Sequence, residues 1–493
     1  MSNEFITASD GPDVRDGFFR FSQGISYADR ADEGSAPFSF AETGPPTEND
    51  LLPDDEPDSI LRNKSLLSTY EYDVAVVGGG PAGYSAAVRA SKLGAKTILF
   101  EKEMLGGPTA GSGAVMNLSN TLSQKHIPVN LTANVARLLR SNRIRVEAGE
   151  ASLKNEHEII CRGKIYSVSK VILCGGTVAE KPKIQGASHS CVWTTGDIYK
   201  VTEVPPRLMV FGGGIEGCEI ASAFSAAGSS VMLVEPEQRL LSCMDAKLAE
   251  AVHGALAKTG VKVYTGVSVT EIVDRDGYPF VITDRGGVLC DKFLAVAKRK
   301  PDVSSFGSFD SDIAVGDDAI VVNEFLETNI EGIYAAGECT GLSYQSHGAQ
   351  RMGETAAENA MGKQKALDLS AIPVTVCTKP GAASVGISEE EAIEKFGDDL
   401  VIGNSMLAEN VRAILSGQTE GFVKVLAGKK HGDIYGVHIF GAEAAEMIAE
   451  PAALMRMEIT IHEVCGDIIH AYPTYAEAFA AACADALGKG ASE

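Results

Sequence analysis

Twice in this chain a strand-like run enters a glycine-rich turn, a helical pattern follows, and a second strand ends in glutamate, 23 residues after the first glycine in both cases. The first copy is YDVAVVGGGPAGYSAAVRASKLGAKTILFEK, starting at Tyr72, with Gly78, Gly80 and Gly83 as GxGxxG and Glu101 closing the second strand. The second is RLMVFGGGIEGCEIASAFSAAGSSVMLVEPEQRLL, with Gly212, Gly214 and Gly217 followed by Glu235. In such a triplet the first glycine permits a tight turn, the second lets backbone approach a pyrophosphate, and the third lets helix pack on strand. The helix N-terminus then faces the phosphates, and the carboxylate can accept hydrogen bonds from a ribose 2′-hydroxyl. One triplet is a weak sign. Two with the same offset, each between strand and helix, point to two dinucleotide sites rather than two packing turns. At the second turn Glu235 would repel a 2′-phosphate, so NAD(H) is expected over NADP(H), with Arg239 close enough in sequence to soften the preference.

A chain of 493 residues suggests about three domains, and 45% hydrophobic against 22% charged residues supplies apolar material for several cores. The net charge of −23 argues against nucleic acid or an anionic membrane surface as partner through a global positive field. No apolar run reaches membrane-spanning length and the N-terminus lacks a signal-peptide pattern, so a cytoplasmic protein is expected. Ten scattered cysteines include no CxxC and no zinc-like cluster; they read as reduced, mostly packed thiols, and no metal site is expected. Residues 1–70 hold 14 acids against 5 bases and no sustained period, the composition of a disordered extension. Within it GFFRFSQGISY, Gly17 to Tyr27, is an aromatic island able to dock on a protein partner or on the protein's own surface.

With further motifs in the same order, the chain resembles the FAD-containing pyridine nucleotide-disulfide oxidoreductases, and most closely the dihydrolipoamide dehydrogenases, from about Tyr72 to Leu487. VILCGGTVAEKP (Val171 to Pro182) is similar to the crossing from FAD to NAD domain, and TNIEGIYAAGECTG (Thr328 to Gly341) to the second FAD contact, with Glu338 where the family has aspartate. The resemblance implies α/β architecture: two Rossmann-like FAD/NAD(P)-binding domains plus a C-terminal α+β dimerisation domain. The boundaries are an acidic extension over 1–70, an FAD-binding and central region over 71–185 and 295–370, an NAD-binding domain over 186–294, and a dimerisation domain over 371–493. It implies FAD contacts at Gly78, Gly80, Pro81, Ala82, Gly83, Glu101, Lys102, Gly107, Gly175, Gly337 and Glu338. For NAD(H) it implies Gly212, Gly214, Gly217, Glu219 and Glu235. TKPGAASVGISEEEA (Thr378 to Ala392) and the stretch Gly421 to Ile448 are similar to the dimerisation domain and imply a homodimer.

The reaction centre departs from the family. Its two redox cysteines follow LGG (Leu105 to Gly107); here, read without gaps, those positions are Thr109 and Ala114, so thiol exchange there is excluded. The lysine that follows in the family falls at Leu118, while its partner is kept as Glu219. That carboxyl is therefore expected to be protonated, paired with another base, or exposed. The small residues Ala110 to Ala114 could leave space over the flavin. In HAYPTYAEAF (His470 to Phe479) the catalytic histidine position is Tyr472, and its supporting acid remains as Glu477. A phenol is a poor general base at neutral pH, yet its hydroxyl can donate to a carbonyl or an anionic intermediate. His470 is read as a packing or capping residue, Cys339 as the nearest substitute thiol, and Lys298 as a departure from an expected glycine. Together these features imply an FAD-dependent NAD(P)H:acceptor oxidoreductase that passes hydride from NADH to FAD and then electrons to a non-thiol acceptor. The alternatives are a catalytically silent scaffold or regulatory relative, and a dihydrolipoyl dehydrogenase, against which the missing sulfur pair argues.

Overall fold

YDVAVV carries apolar residues without alternation, the pattern of a parallel strand covered on both faces. In the computed structural model, which describes residues 69–107, 131–201, 203–296, 299–302, 307, 312–316 and 319–490, this segment is strand β1 (Tyr72–Val77), with Val74, Ala75 and Val76 fully buried. It lies parallel between β2 (Thr97–Glu101) and the C-terminal half of β6 (Lys164–Leu173). Helix α1 (Pro81–Lys92) makes the crossover from β1 to β2, starting with proline at N1, where the ring costs no hydrogen bond. β3 (Arg145–Ala148) follows helix α2 (Leu131–Ser141) and extends the parallel part, while β4 (Ala151–Asn155) and β5 (Glu158–Cys161) form an antiparallel flap with β6.

After β7 (Thr177–Ala179) a second parallel sheet has the order β11-β10-β9-β15-β8, from β8 (Val192–Thr194), β9 (Arg207–Phe211), β10 (Ser230–Glu235), β11 (Lys262–Thr265) and β15 (Lys292–Ala295). Helix α3 (Ile215–Ala226) joins β9 to β10 and α4 (Ala246–Lys258) leads to β11. The antiparallel strands β12 (Val269–Arg275), β13 (Tyr278–Thr283) and β14 (Gly286–Leu289) are inserted before β15. The chain then returns to the first half: β16 (Arg299–Pro301) pairs with β7, and β17 (Ile333–Ala335) joins β6. Helix α5 (Ser346–Ala360) packs on α1 so closely that a Cβ on Gly353 would lie 2.1 Å from the Ala82 carbonyl oxygen.

The C-terminal unit is an antiparallel sheet in the order β18-β19-β22-β21-β20, comprising β18 (Val374–Val376), β19 (Gly381–Gly386), β20 (Leu400–Met406), β21 (Gly421–Gly428) and β22 (Ile434–Gly441). Helix α6 (Glu389–Phe396) leads into β20, and α7 (Glu477–Gly490) covers the sheet with Ala478, Phe479, Ala482, Cys483 and Ala486. A buried ion cluster joins this unit to α4. Lys424 of β21 places Nζ 2.5 Å from Asp245 Oδ2, and Asp245 caps α4 by accepting from the Leu248 N–H at 3.3 Å. The acidic extension lies outside the described residues up to position 68. Among those described, no helix is long and apolar enough to cross a membrane.

Candidate functional site: two glycine cradles and their junction

The first turn is shaped by backbone contacts that no side chain could share. Gly78 has φ +103°, and a Cβ there would lie 2.2 Å from the Cys174 carbonyl oxygen; one on Gly83 would lie 1.8 Å from the Gly78 carbonyl oxygen. Gly80, the N-cap of α1, has no atom within 4 Å of its would-be Cβ, and no side chain caps the helix. Its N-terminal N–H groups therefore open onto a cradle that backbone walls define, a fit for a pyrophosphate. Glu101 reaches back under the turn, accepting the Gly79 N–H at 2.6 Å and the Glu103 N–H at 2.7 Å. Gly337, at φ +91°, abuts Ala82 in the first turn of α1, with a Cβ-to-Cβ distance of 2.8 Å were it alanine. Gly175 lies against Gly78, and Gly106, next to Gly107, donates to the Gly79 carbonyl at 2.9 Å. The sequence-predicted FAD residues thus converge on one helix start, except Lys102, whose ammonium pairs with Asp302.

The second turn repeats the first. Gly214 caps α3 at φ −70°, ψ −171°, against −69° and −172° at Gly80, and it too is open. A Cβ on Gly217 would meet the Gly212 carbonyl oxygen at 1.8 Å. Glu235 accepts the Gly213 N–H at 2.5 Å and the Glu237 N–H at 2.8 Å, the same bracket that Glu101 forms. Arg239 differs from expectation: it pairs with Glu390 at 2.8 Å and donates to the Ser242 and Met244 carbonyls, so its donors are engaged on α6 and the local loop.

Between the cradles lies a carboxyl cluster that sequence reasoning only partly found. Glu219 accepts the Cys377 N–H at 2.8 Å, and among the described residues no cation lies within ion-pair reach of it. Burial pushes its carboxyl up, against the pull of the Cys377 N–H and thiol. The thiol is in turn pushed up to about 12 by burial and by Glu219. Of the three outcomes expected for Glu219, exposure and pairing with a base are not what the geometry gives; the carboxyl is desolvated, served by neutral donors and pushed toward its protonated form. Glu216, one helical turn earlier on the same face, is also raised by burial, with Arg299 opposing and Glu338 adding to the shift. Arg299 Nη1 lies 3.9 Å from Glu216 and 3.8 Å from Glu338, and the Thr177 hydroxyl donates to Glu338 at 2.8 Å. Glu216 could have been noticed as i−3 to Glu219; Arg299 and Cys377 carry no local signal.

The C-terminal candidates stand apart. Tyr472 is 71% exposed in the single chain and makes no hydrogen bond among the described residues. Glu477 accepts the Thr474 N–H at 2.9 Å, bracing its own loop, and His470 meets Glu450 at 2.7 Å, a packing role. Cys339 and Cys174 are buried in the first core; burial pushes the Cys339 thiol to about 12 and Cys174 well up, so neither is poised as a thiolate. Thr109, Ala110 to Ala114, Leu118 and Lys298 lie outside the described residues. No group of His, Cys, Asp and Glu among the described residues is arranged to hold a metal.

Comparison with known proteins agrees with this geometry. Residues 72–357 match the family described as pyridine nucleotide-disulphide oxidoreductase, and residues 372–483 match that family's dimerisation domain. A dihydrolipoyl dehydrogenase of Thermus scotoductus is 30% identical over 456 residues, covering 85% of this chain and 98% of the relative. One from Bacillus subtilis is 27% identical, covering 84% and 98%. Among solved structures, the HOCl-induced flavoprotein disulfide reductase RclA of Escherichia coli superposes with a TM-score of 0.76 at 23% identity, covering 84% of this chain and 99% of that one.

Proposed function

The chain belongs to the pyridine nucleotide-disulphide oxidoreductase family, and we propose that it works there without a redox disulfide, as an FAD-dependent NAD(P)H:acceptor oxidoreductase that delivers electrons to a non-thiol acceptor. Enzymes of this family use FAD and NAD(P)H, and the cofactors supply the hydride chemistry itself. The protein's part is to hold and align them. In this reading the start of α1, with Gly78, Gly80, Pro81, Ala82 and Gly83, holds the FAD pyrophosphate. Glu101 serves the ribose, and Gly107, Gly175, Gly337 and Glu338 line the remainder. The start of α3 with Gly212, Gly214 and Gly217 holds the NAD(H) pyrophosphate. Glu235, fixed by two backbone N–H groups, presents an acceptor to a ribose hydroxyl and repels a 2′-phosphate. Arg239 is engaged by Glu390 rather than by Glu235, which supports NADH over NADPH.

The observation that carries the proposal is the placement of the cysteines: the chain has none before Cys161, so no thiol stands in the segment that directly follows the first cradle, while both cradles are kept. The described thiols near the centre, Cys174, Cys339 and Cys377, are all held protonated by burial. Tyr472, on a loop braced by Glu477, is proposed as a hydrogen-bond donor to the acceptor across a homodimer interface. The match to a dimerisation domain and the exposed Ile469 beside this loop support that interface. Ten free cysteines fit a reducing compartment, the cytoplasm in this proposal, and the acidic extension is proposed to engage a protein partner.

Steady-state turnover tests the acceptor. With NADH as donor, a benzoquinone is expected to support continuous oxidation, while oxidised lipoamide gives below about 1% of that rate because no cysteine pair follows the first cradle to relay electrons from the flavin to it. Lipoamide reduction at a comparable rate would overturn the proposal.

A further inference from the structure

Two buried side-chain nitrogens lack a hydrogen-bond partner among the described residues, His438 Nδ1 and Arg299 Nε. The first needs no account as a donor, since the His438 Nε2–H donates to the Ile387 carbonyl at 3.1 Å and Nδ1 is then the lone pair of a neutral ring. Arg299 is different, because its Nε always carries a proton and a stranded charged donor is costly. Its acidic neighbours do not satisfy it: at 3.9 Å from Glu216 and 3.8 Å from Glu338 they attract the guanidinium by charge alone, beyond hydrogen-bond reach. The planar fork is thus steered into place with Nε buried, and its Nη end, on a side chain 26% exposed, makes no hydrogen bond among the described residues.

Its place in the chain gives those donors a purpose. Arg299 opens β16, three residues beyond Val296, whose carbonyl oxygen would stand 2.9 Å from a Cβ on Gly212 in the second turn. β16 pairs with β7, which follows Gly175 and Gly176 at the first turn. Glu216 sits in the first turn of α3, whereas the matching position of α1 is the uncharged Ala82. Glu338 follows Gly337, which abuts that start of α1. The guanidinium therefore stands between the cradles, on the path that a dinucleotide resting on α3 must take to bring its far ring toward the first.

We propose that Arg299 is the residue that selects and orients the nicotinamide end of the dinucleotide, its fork donating to the carboxamide oxygen while Glu216 and Glu338 hold the guanidinium in place. This rests on the reading of the second cradle as the NAD(H) site. Neutralising Glu216 is the second consequence, since an uncompensated acid in the first turn of α3 would oppose a bound pyrophosphate.

Calorimetric titration of the FAD-loaded full-length protein with NAD+ and, separately, with ADP-ribose tests the assignment in the wild type, Arg299→Lys and Arg299→Met. ADP-ribose retains both phosphates and lacks the nicotinamide. Both variants are expected to bind NAD+ about 10- to 100-fold more weakly, as befits loss of a charge-assisted forked contact. Arg299→Lys, which keeps the charge, is expected to bind ADP-ribose as the wild type does, and that binding doubles as the check on folding. Unchanged NAD+ affinity in Arg299→Lys, or an equal loss for both ligands in that variant, would overturn the proposal. A wild type that binds neither ligand would overturn the NAD(H) reading of the second cradle, and this inference with it.

Discussion

Alanine at Gly217 is expected to leave a protein that carries FAD but needs far more NADH to reduce it, and alanine at Gly83 to leave one that emerges without FAD. In both variants the new methyl meets a carbonyl oxygen at 1.8 Å, that of Gly212 or Gly78, and a backbone atom cannot rotate aside as a side chain could. Either the helix retreats from the strand or the turn opens, and an overpacking cost of about 1–3 kcal/mol falls on the cradle itself. NADH affinity in Gly217→Ala should fall by roughly 100-fold if that cost is borne by the bound geometry. Gly214→Ala is the informative companion: its Cβ meets nothing in the protein, so any loss there reports the ligand. Flavin-to-protein absorbance ratios and NADH titrations read all three. Stoichiometric FAD in Gly83→Ala, or near-normal reduction of Gly217→Ala, would show that these turns are packing devices.

Removing the Lys424 ammonium is expected to cost about 3–5 kcal/mol of stability, the usual consequence of leaving a buried charge without its partner. Lys424 is 1% exposed, and its Nζ bridges Asp245 at 2.5 Å and Glu389 at 2.8 Å, so Lys424→Met strands the fully buried Asp245. The cluster also sets the acid limit. Burial pushes the His438 imidazole down to about 4, and although burial would raise Asp245, His438 and Lys424 together hold its carboxyl below the usual range. A histidine with a depressed folded pKa binds fewer protons folded than unfolded, so stability is present above about pH 6.5 and is lost as pH falls toward about 4. Protonation of Asp245 removes more below that. The His438 contribution is on the order of 3 kcal/mol across this window. Denaturant midpoints from pH 8 to pH 4 check both, with Lys424→Met/Asp245→Leu expected to recover part of the loss. A change below about 1 kcal/mol in Lys424→Met would contradict this account of the cluster.

What could be read from sequence was whatever local geometry dictates. Gly78 to Gly83 and Gly212 to Gly217 announce themselves because turn, helix start and strand-end acid lie within one short segment, and the two halves agree in backbone angle to a degree. The junction was hidden for the opposite reason. Glu216, Arg299 and Glu338 come from the start of a helix, a crossing strand and a distant loop, and only the return of the chain through β16 and β17 assembles them. Cys377 reaches Glu219 from the C-terminal sheet, 158 residues away. The partner of Arg239 is hidden too, because proximity in sequence to Glu235 says nothing of Glu390, which draws its guanidinium toward α6. Tyr472 was found only through a family motif, since an exposed tyrosine beside proline has no chemical signature of its own.

Anaerobic titration of the FAD-loaded protein with NADH, following flavin absorption and counting electron equivalents, tests the central claim most directly. Bleaching complete at two electrons per subunit is the result this account predicts, because FAD is then the only redox centre that fills. A thiolate-to-flavin absorption band at two electrons, with bleaching complete only at four, would reveal a working disulfide and contradict it, and a flavin inert to both NADH and NADPH would contradict it equally.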